Sequence, residues 1–586
     1  MLTGAACSKA EQGASAPQQI LRFPVFQDPK SWDPAEASSE AETELSQNVF
    51  DNLWRFDDSL KVVPDIATTV PTASNGGVSA DGLTYTVHLR HDVVFDNGDR
   101  VTSTDVLYSW NRAAALRGAY SSNFAAIAGF SDVQHAAASL CAAGSDPLAC
   151  HSGVEQRLAA HDSQFQMSGL SAPDAFTVQI HLGRACGWCL AAWTLQGTTG
   201  AIVDERVIRN DPLNWWSKPG GPGVTDGLVG TGAFYLNAYV PKQSITWKAV
   251  SHWWGTPVPR LREVINDIKD PSAMSTAVGA WEQGSYDIVG YGGHSSLSVA
   301  DILRIKNSSG EAGELRLIPK GRTTWVSPNI GNPATGGPFL GESEAAVGLR
   351  RAFAESIDLT GLASTVCKNL LCIPATGGLI TKGLLGNLGD NRDPLSKFNP
   401  TEARKLLGIY DPERKLTANL KYSYDAGGLN DPVASYLQGQ WQRNLGVTVE
   451  LDPHPDVSGY VSDRIAGKFV LSRDGWGFDY NHPQDWFDNL WGAPAEGANT
   501  SGFADPVGDP GPTTDQYNSI LPKADALPIT EAVRLYAQLS KLLSDQAAYF
   551  PLYYSVGQFL IHTYVAGAGS TTQSDYYWDR IHITRT

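Results

Sequence analysis

The chain has 586 residues, more than a single hydrophobic core serves, so two or three lobes are expected. The composition is that of an ordinary globular protein, 42% hydrophobic and 18% charged. It contains no run of about 18 apolar residues, so no transmembrane helix is predicted. A formal net charge of -17 repels phosphate backbones and argues against nucleic acid as a partner.

The first residues, Met1-Leu2-Thr3-Gly4-Ala5-Ala6-Cys7-Ser8, resemble the end of a bacterial lipoprotein signal, although Gly4 stands where a larger aliphatic residue is usual. The small, polar run from Ser8 to Gln19 reads as a flexible tether behind a lipid anchor at Cys7. A disordered chain end is the competing reading. The other six cysteines fall into three close pairs: Cys141 with Cys150, Cys186 with Cys189, and Cys367 with Cys372. Disulfides within these pairs leave no free thiol, which fits an oxidising compartment. For Cys186-Gly187-Trp188-Cys189 the alternative is a redox-active or zinc-binding pair.

Ile20–Phe26 alternates as a first strand and ends in a Trp32-Asp33-Pro34 turn. Ser38–Phe50, rich in Glu and Ala, reads as a helix. After the Asp81-Gly82 turn, Leu83, Tyr85, Val87 and Leu89 alternate with polar residues as a half-buried strand. Val93–Phe95 is predicted as a second strand before a tight Asn97-Gly98 turn. Thr102-Ser103-Thr104-Asp105 has the form of a capped helix start. Residues 113–170 are Ala-rich and read as a helical insertion pinned by Cys141 and Cys150; His135, His151 and His161 have no metal-ligand spacing. Strands follow at Phe176–Leu182 and from Gly230-Thr231-Gly232. Later helices open at Ser343, with Leu349, Phe353 and Ile357 on one face, and at Asn399-Pro400. Ala493–Pro512 is loop-like. Thr530 opens a helix carrying Val533, Tyr536, Leu539 and Leu543, and the last strands start at Pro551. Alternating strands and helices imply α/β lobes.

The densest stretch is Asp474-Gly475-Trp476-Gly477-Phe478-Asp479-Tyr480-Asn481-His482-Pro483. Its glycines and Asn481 predict a loop, and Pro483 suits the first turn of a helix whose Trp486, Phe487, Leu490 and Trp491 share one face. Asp479 therefore lies among large rings, where an acid is costly unless a cation meets it. The loop resembles the W-x-x-D-Y/N-x-x-P loop of the peptide-binding, family 5 class of ABC-transporter solute-binding proteins. The block from Asp81 to Arg90 and on to Asp105-Val106-Leu107-Tyr108-Ser109 resembles the same family, as do Gly230–Leu236, Arg350–Asp358 and Asn399–Leu407.

The resemblance implies an α/β clamshell of the type II periplasmic-binding-protein class, with an extra domain and two chain crossings between lobes. Its expected division is a tether over 1–19, lobe I over 20–63, 200–270 and 560–586, an inserted domain over 64–199, and lobe II over 271–559. It implies that Asp479 receives the α-ammonium group of a short peptide, with Trp476, Phe478 and Tyr480 as walls. Trp325, Ser38, Ser39 and Glu40 are further contacts on family grounds. For the three at 38–40, a solvated helix start is the competing reading. The expected partners are a peptide and the transmembrane subunits of an ABC permease. Monomeric, lipid-anchored, extracytoplasmic action without a cofactor is expected. An oligosaccharide or other solute is the alternative ligand, favoured by 17 Trp. A hydrolase using Asp474 and Asp479 as a carboxylate pair is a third reading, but the chain lacks G-x-S-x-G and H-E-x-x-H.

Overall fold

A computed structural model describes residues 18–141, 145–290, 297–492, 499, 501–503, 511–568 and 577–585. Cys7 and most of the 493–512 segment lie outside the described residues. The fold is built on three principal sheets. In the first, Ile20–Val25 pairs in parallel with Glu263–Ile268, which is followed by Ser244–Ala249 and Phe234–Val240 in antiparallel order. In the second, Thr84–His88, Thr177–His181 and Leu170–Asp174 form an antiparallel triplet. The third has seven strands. Its central pair, Leu315–Pro328 and Phe550–Ile561, is flanked by Leu471–Gly477, Lys421–Asp425 and Glu450–His454 on one side. Ile288–Val289 and Cys372–Pro374 pair with Phe550–Ile561.

Two large cores follow from this layout. One joins the first two sheets and contains Phe23, Trp110, Trp193, Trp247 and Trp578; the other underlies the third sheet and contains Trp325, Trp441, Trp486 and Trp491. After Ile268 the chain contributes to the first core through Ile288 and Tyr480, and Phe559, Ile561, Val565, Trp578 and Ile583 finish it. Twelve tryptophans are almost fully buried, so the abundance of this residue builds cores rather than open stacking surfaces.

Arg112 fastens the first turn to the insertion. Its guanidinium donates to Asp33 through Nη1 (2.8 Å) and to Glu155 through Nε (2.7 Å), all three side chains being buried. This explains the place of Asp33 in the Trp32-Asp33-Pro34 turn. All three disulfides are formed as paired from the sequence. Thr102 and Asp105 make the expected capping box, and Ser343 and Asn399 cap their helices.

Some elements differ from expectation. Val93–Phe95 is not a strand; only Val94 bridges to Arg100. The chain reverses at Gly98, whose φ is 99°, and the buried Asp96 carboxylate takes the N–H groups of Gly221 and Gly230. The helix expected over 38–50 spans only Glu40–Ser46. Val533 is 49% exposed, because the buried stripe of helix Ile529–Asp545 runs through Ala532, Tyr536, Leu539 and Leu543.

Candidate functional site

The aromatic loop starts as a strand, not as a loop. Leu471–Gly477 is held antiparallel to Leu315–Pro328 along seven residue pairs, and this pairing overrides the reluctance of Gly475 and Gly477 to adopt regular structure. The missing side chains are used: a Cβ on Gly475 would stand 3.5 Å from the Arg322 guanidinium and 3.0 Å from the Thr323 carbonyl oxygen. Irregular backbone follows from Phe478. The helix Gln484–Trp491 then buries Trp486, Phe487, Leu490 and Trp491 as one face, as predicted, with Pro483 at its N-cap.

The residues around Asp479 belong to different cores. Trp476 and Phe478 pack on the core of the third sheet, whereas Tyr480 is buried in the core of the first two. Asp479 therefore sits at the seam between the lobes, and it is half-buried. Among the described residues no Lys, Arg or His pairs with its carboxyl. Burial pushes that carboxyl up to about 7. Asn481 accepts the Leu385 N–H (2.9 Å), and Tyr480 donates its hydroxyl to Gln484 (2.5 Å), so both flanks of Asp479 are fixed.

Asp485, fully buried in the first helical turn, went unnoticed in the sequence. Its carboxylate accepts the backbone N–H of Asp479 (3.0 Å), the indole N–H of Trp476 (3.2 Å) and the Asn489 amide (3.4 Å). One side chain thus ties the strand end, the loop and the helix together. Burial, and then the charge of Asp479, drive its own carboxyl well above the usual range. The signal was an acid beside Trp486 on an otherwise apolar helix face, six residues past Asp479. Gly321 was also missed. It accepts the Phe478 N–H (2.9 Å), and a Cβ there would lie 1.9 Å from the Phe478 ring.

The other candidate residues are placed differently. Trp325 is 1% exposed and packs against Trp491 in the core, with ring centroids 5.7 Å apart. Ser39 caps the Glu40–Ser46 helix, and the backbone N–H groups of Ser38 and Ser39 donate to Glu42 (2.9 and 3.0 Å). Both serines are engaged in helix capping; the Glu40 side chain is outside the described part of the structure. Asp474, the other carboxylate of the hydrolase reading, forms an ion pair with Arg464.

The paired α/β lobes form a clamshell of the type II periplasmic-binding-protein class. The model for "Bacterial extracellular solute-binding proteins, family 5 Middle" matches residues 61–498, and the chain belongs to this family. The probable deoxycholate-binding periplasmic protein YgiS of Escherichia coli (strain K12) is 25% identical over 577 residues, covering 96% of this chain and 93% of that protein. The periplasmic murein peptide-binding protein MppA of the same strain is 23% identical over 571 residues, covering 96% and 92%. Among solved structures, the unliganded open form of MppA aligns with a TM-score of 0.72 at 21% identity, over 97% of this chain and 98% of that one. DppA from Helicobacter pylori in complex with the peptide STSA aligns with a TM-score of 0.70 at 17% identity, over 97% and 98%. These two structures have the same fold. No described helix is long and apolar enough to cross a membrane.

Proposed function

We propose that the protein captures short peptides between its lobes and delivers them to an ABC permease, acting as a monomer tethered by a lipid on Cys7. The carrying observation is the Asp479 carboxyl, held at the seam with no cation of its own chain among the described residues. A peptide ammonium arriving there would restore the ionised form and make a charge-assisted hydrogen bond in a water-poor setting. Trp476, Phe478 and Tyr480 would wall that subsite. Murein peptide-binding MppA and the peptide complex of DppA, both similar to this chain, support the same ligand class. Binding without turnover fits a site whose second acid, Asp485, is spent on holding the loop.

The name of YgiS raises a second reading, a bile-acid ligand. Deoxycholate is itself a carboxylate and brings no cation to the Asp479 carboxyl. Calorimetric titration with a tri- to pentapeptide pool, with deoxycholate and with maltotriose separates the possibilities. Heat with the peptides alone is expected; saturable binding of deoxycholate or the sugar with none for peptides would overturn the proposal.

A further inference from the structure

The Cys186–Cys189 loop has a place in the fold that neither its disulfide nor the family match accounts for. It belongs to the first core, where Cys186, Trp188 and Cys189 are buried, yet it reaches the other lobe. The Gly187 N–H donates to the Asp525 carbonyl oxygen (2.7 Å) at the end of helix Pro512–Ala526. The approach is so close that a Cβ on Gly187 would stand 1.8 Å from the Leu527 carbonyl oxygen. The next residue, Trp188, stacks on Tyr480, with centroids 6.1 Å apart and planes 12° apart. Arg184, just before the loop, exerts an attractive field on Asp488 and Asp525 of the facing lobe. Hydrogen bond, ring stack and charge attraction thus converge within six residues, and the disulfide closes four of them into a ring.

We infer that this disulfide-closed loop is a positioning element of the ligand site. Trp188 seats Tyr480 from across the seam, and Tyr480 carries the adjoining Asp479 with it. The ring constrains the backbone of Gly187 and Trp188, so that the indole is presented without further ordering when the lobes meet. Only glycine fits at position 187 because backbone meets backbone there. This inference rests on Asp479 as the ligand anchor for its effect on binding, but the seating of Tyr480 is testable without any ligand.

The test is amide hydrogen exchange across 476–482 in the full chain, with dissociation rates for a tri- to pentaalanine pool measured in parallel. In Trp188→Ala, exchange at the Asp479 amide should rise about tenfold, as expected for loss of a buried aromatic pair. Peptide release should quicken by a similar factor, and Trp188→Phe should restore both to within about twofold. Gly187→Ala, which leaves Trp188, Tyr480 and both cysteines intact, should reproduce the Trp188→Ala exchange pattern. Unchanged exchange over 476–482 in both Trp188→Ala and Gly187→Ala would overturn the inference. Asp479→Asn separates the two ideas: if it binds the pool like the parent chain, the ligand reading fails, while the exchange result still decides the role of the loop.

Discussion

Acidification should weaken peptide binding steeply, and Asp479 sets the scale. In the unliganded protein its carboxyl titrates at about 7, raised by burial. A bound ammonium favours the ionised form and lowers that value, so the complex holds fewer protons than its parts and affinity rises with pH up to about 7. Below that point each pH unit weakens binding about tenfold, roughly 1.4 kcal/mol. Between pH 7.5 and pH 5 the loss is about two orders of magnitude if the bound carboxyl returns to the ordinary range near 4. Above about pH 8 the α-ammonium itself deprotonates, so the plateau is narrow. Calorimetry with trialanine across this range measures the profile. Asp479→Asn should bind about 2–5 kcal/mol more weakly at pH 7.5 and lose the acid limb. An affinity that stays flat from pH 7.5 to pH 5 in the parent protein would refute the reasoning.

Other substitutions probe how the site is held. Asp485→Ala strands the Asp479 N–H and the Trp476 indole N–H, at about 1–3 kcal/mol each, and should lower both unfolding stability in urea and peptide affinity. Gly321→Ala drives a methyl into the Phe478 ring, so peptide affinity should fall while the far-ultraviolet circular dichroism spectrum is kept; unchanged affinity would mean that Phe478 does not line the subsite. Arg112→Met leaves the buried Asp33 without its cation and Glu155 with His151 alone, and should cost about 3–5 kcal/mol in urea unfolding, with little effect on the peptide dissociation constant.

Much of this architecture was legible in the chain because local chemistry determined it. The Thr102–Asp105 box, the Ser343 and Asn399 caps, the alternation through Tyr85 and Val87 and the three cysteine pairs all act over short sequence distances. Elements governed by distant partners were not readable. Gly475 and Gly477 are strand residues only because Leu315–Pro328 lies alongside, 150 residues away in the chain or thereabouts. Val93–Phe95 has strand composition but no strand to pair with. The aromatic loop made Asp479 the candidate, yet gave no hint that Phe478 and Tyr480 pack into different cores or that Trp188 meets Tyr480. Trp325 looked like a cleft wall by analogy, but its strand turns it into the core.

Trialanine measured in two forms, with a free amino terminus and N-acetylated, tests the role of Asp479 most directly. Acetylation removes the positive charge and keeps the rest of the ligand. At pH 7.5 the free form should bind at least tenfold more tightly, and Asp479→Asn should shrink that difference to about twofold. Equal affinity of the two forms for the parent protein would contradict the claim that a ligand cation meets the acid at the seam.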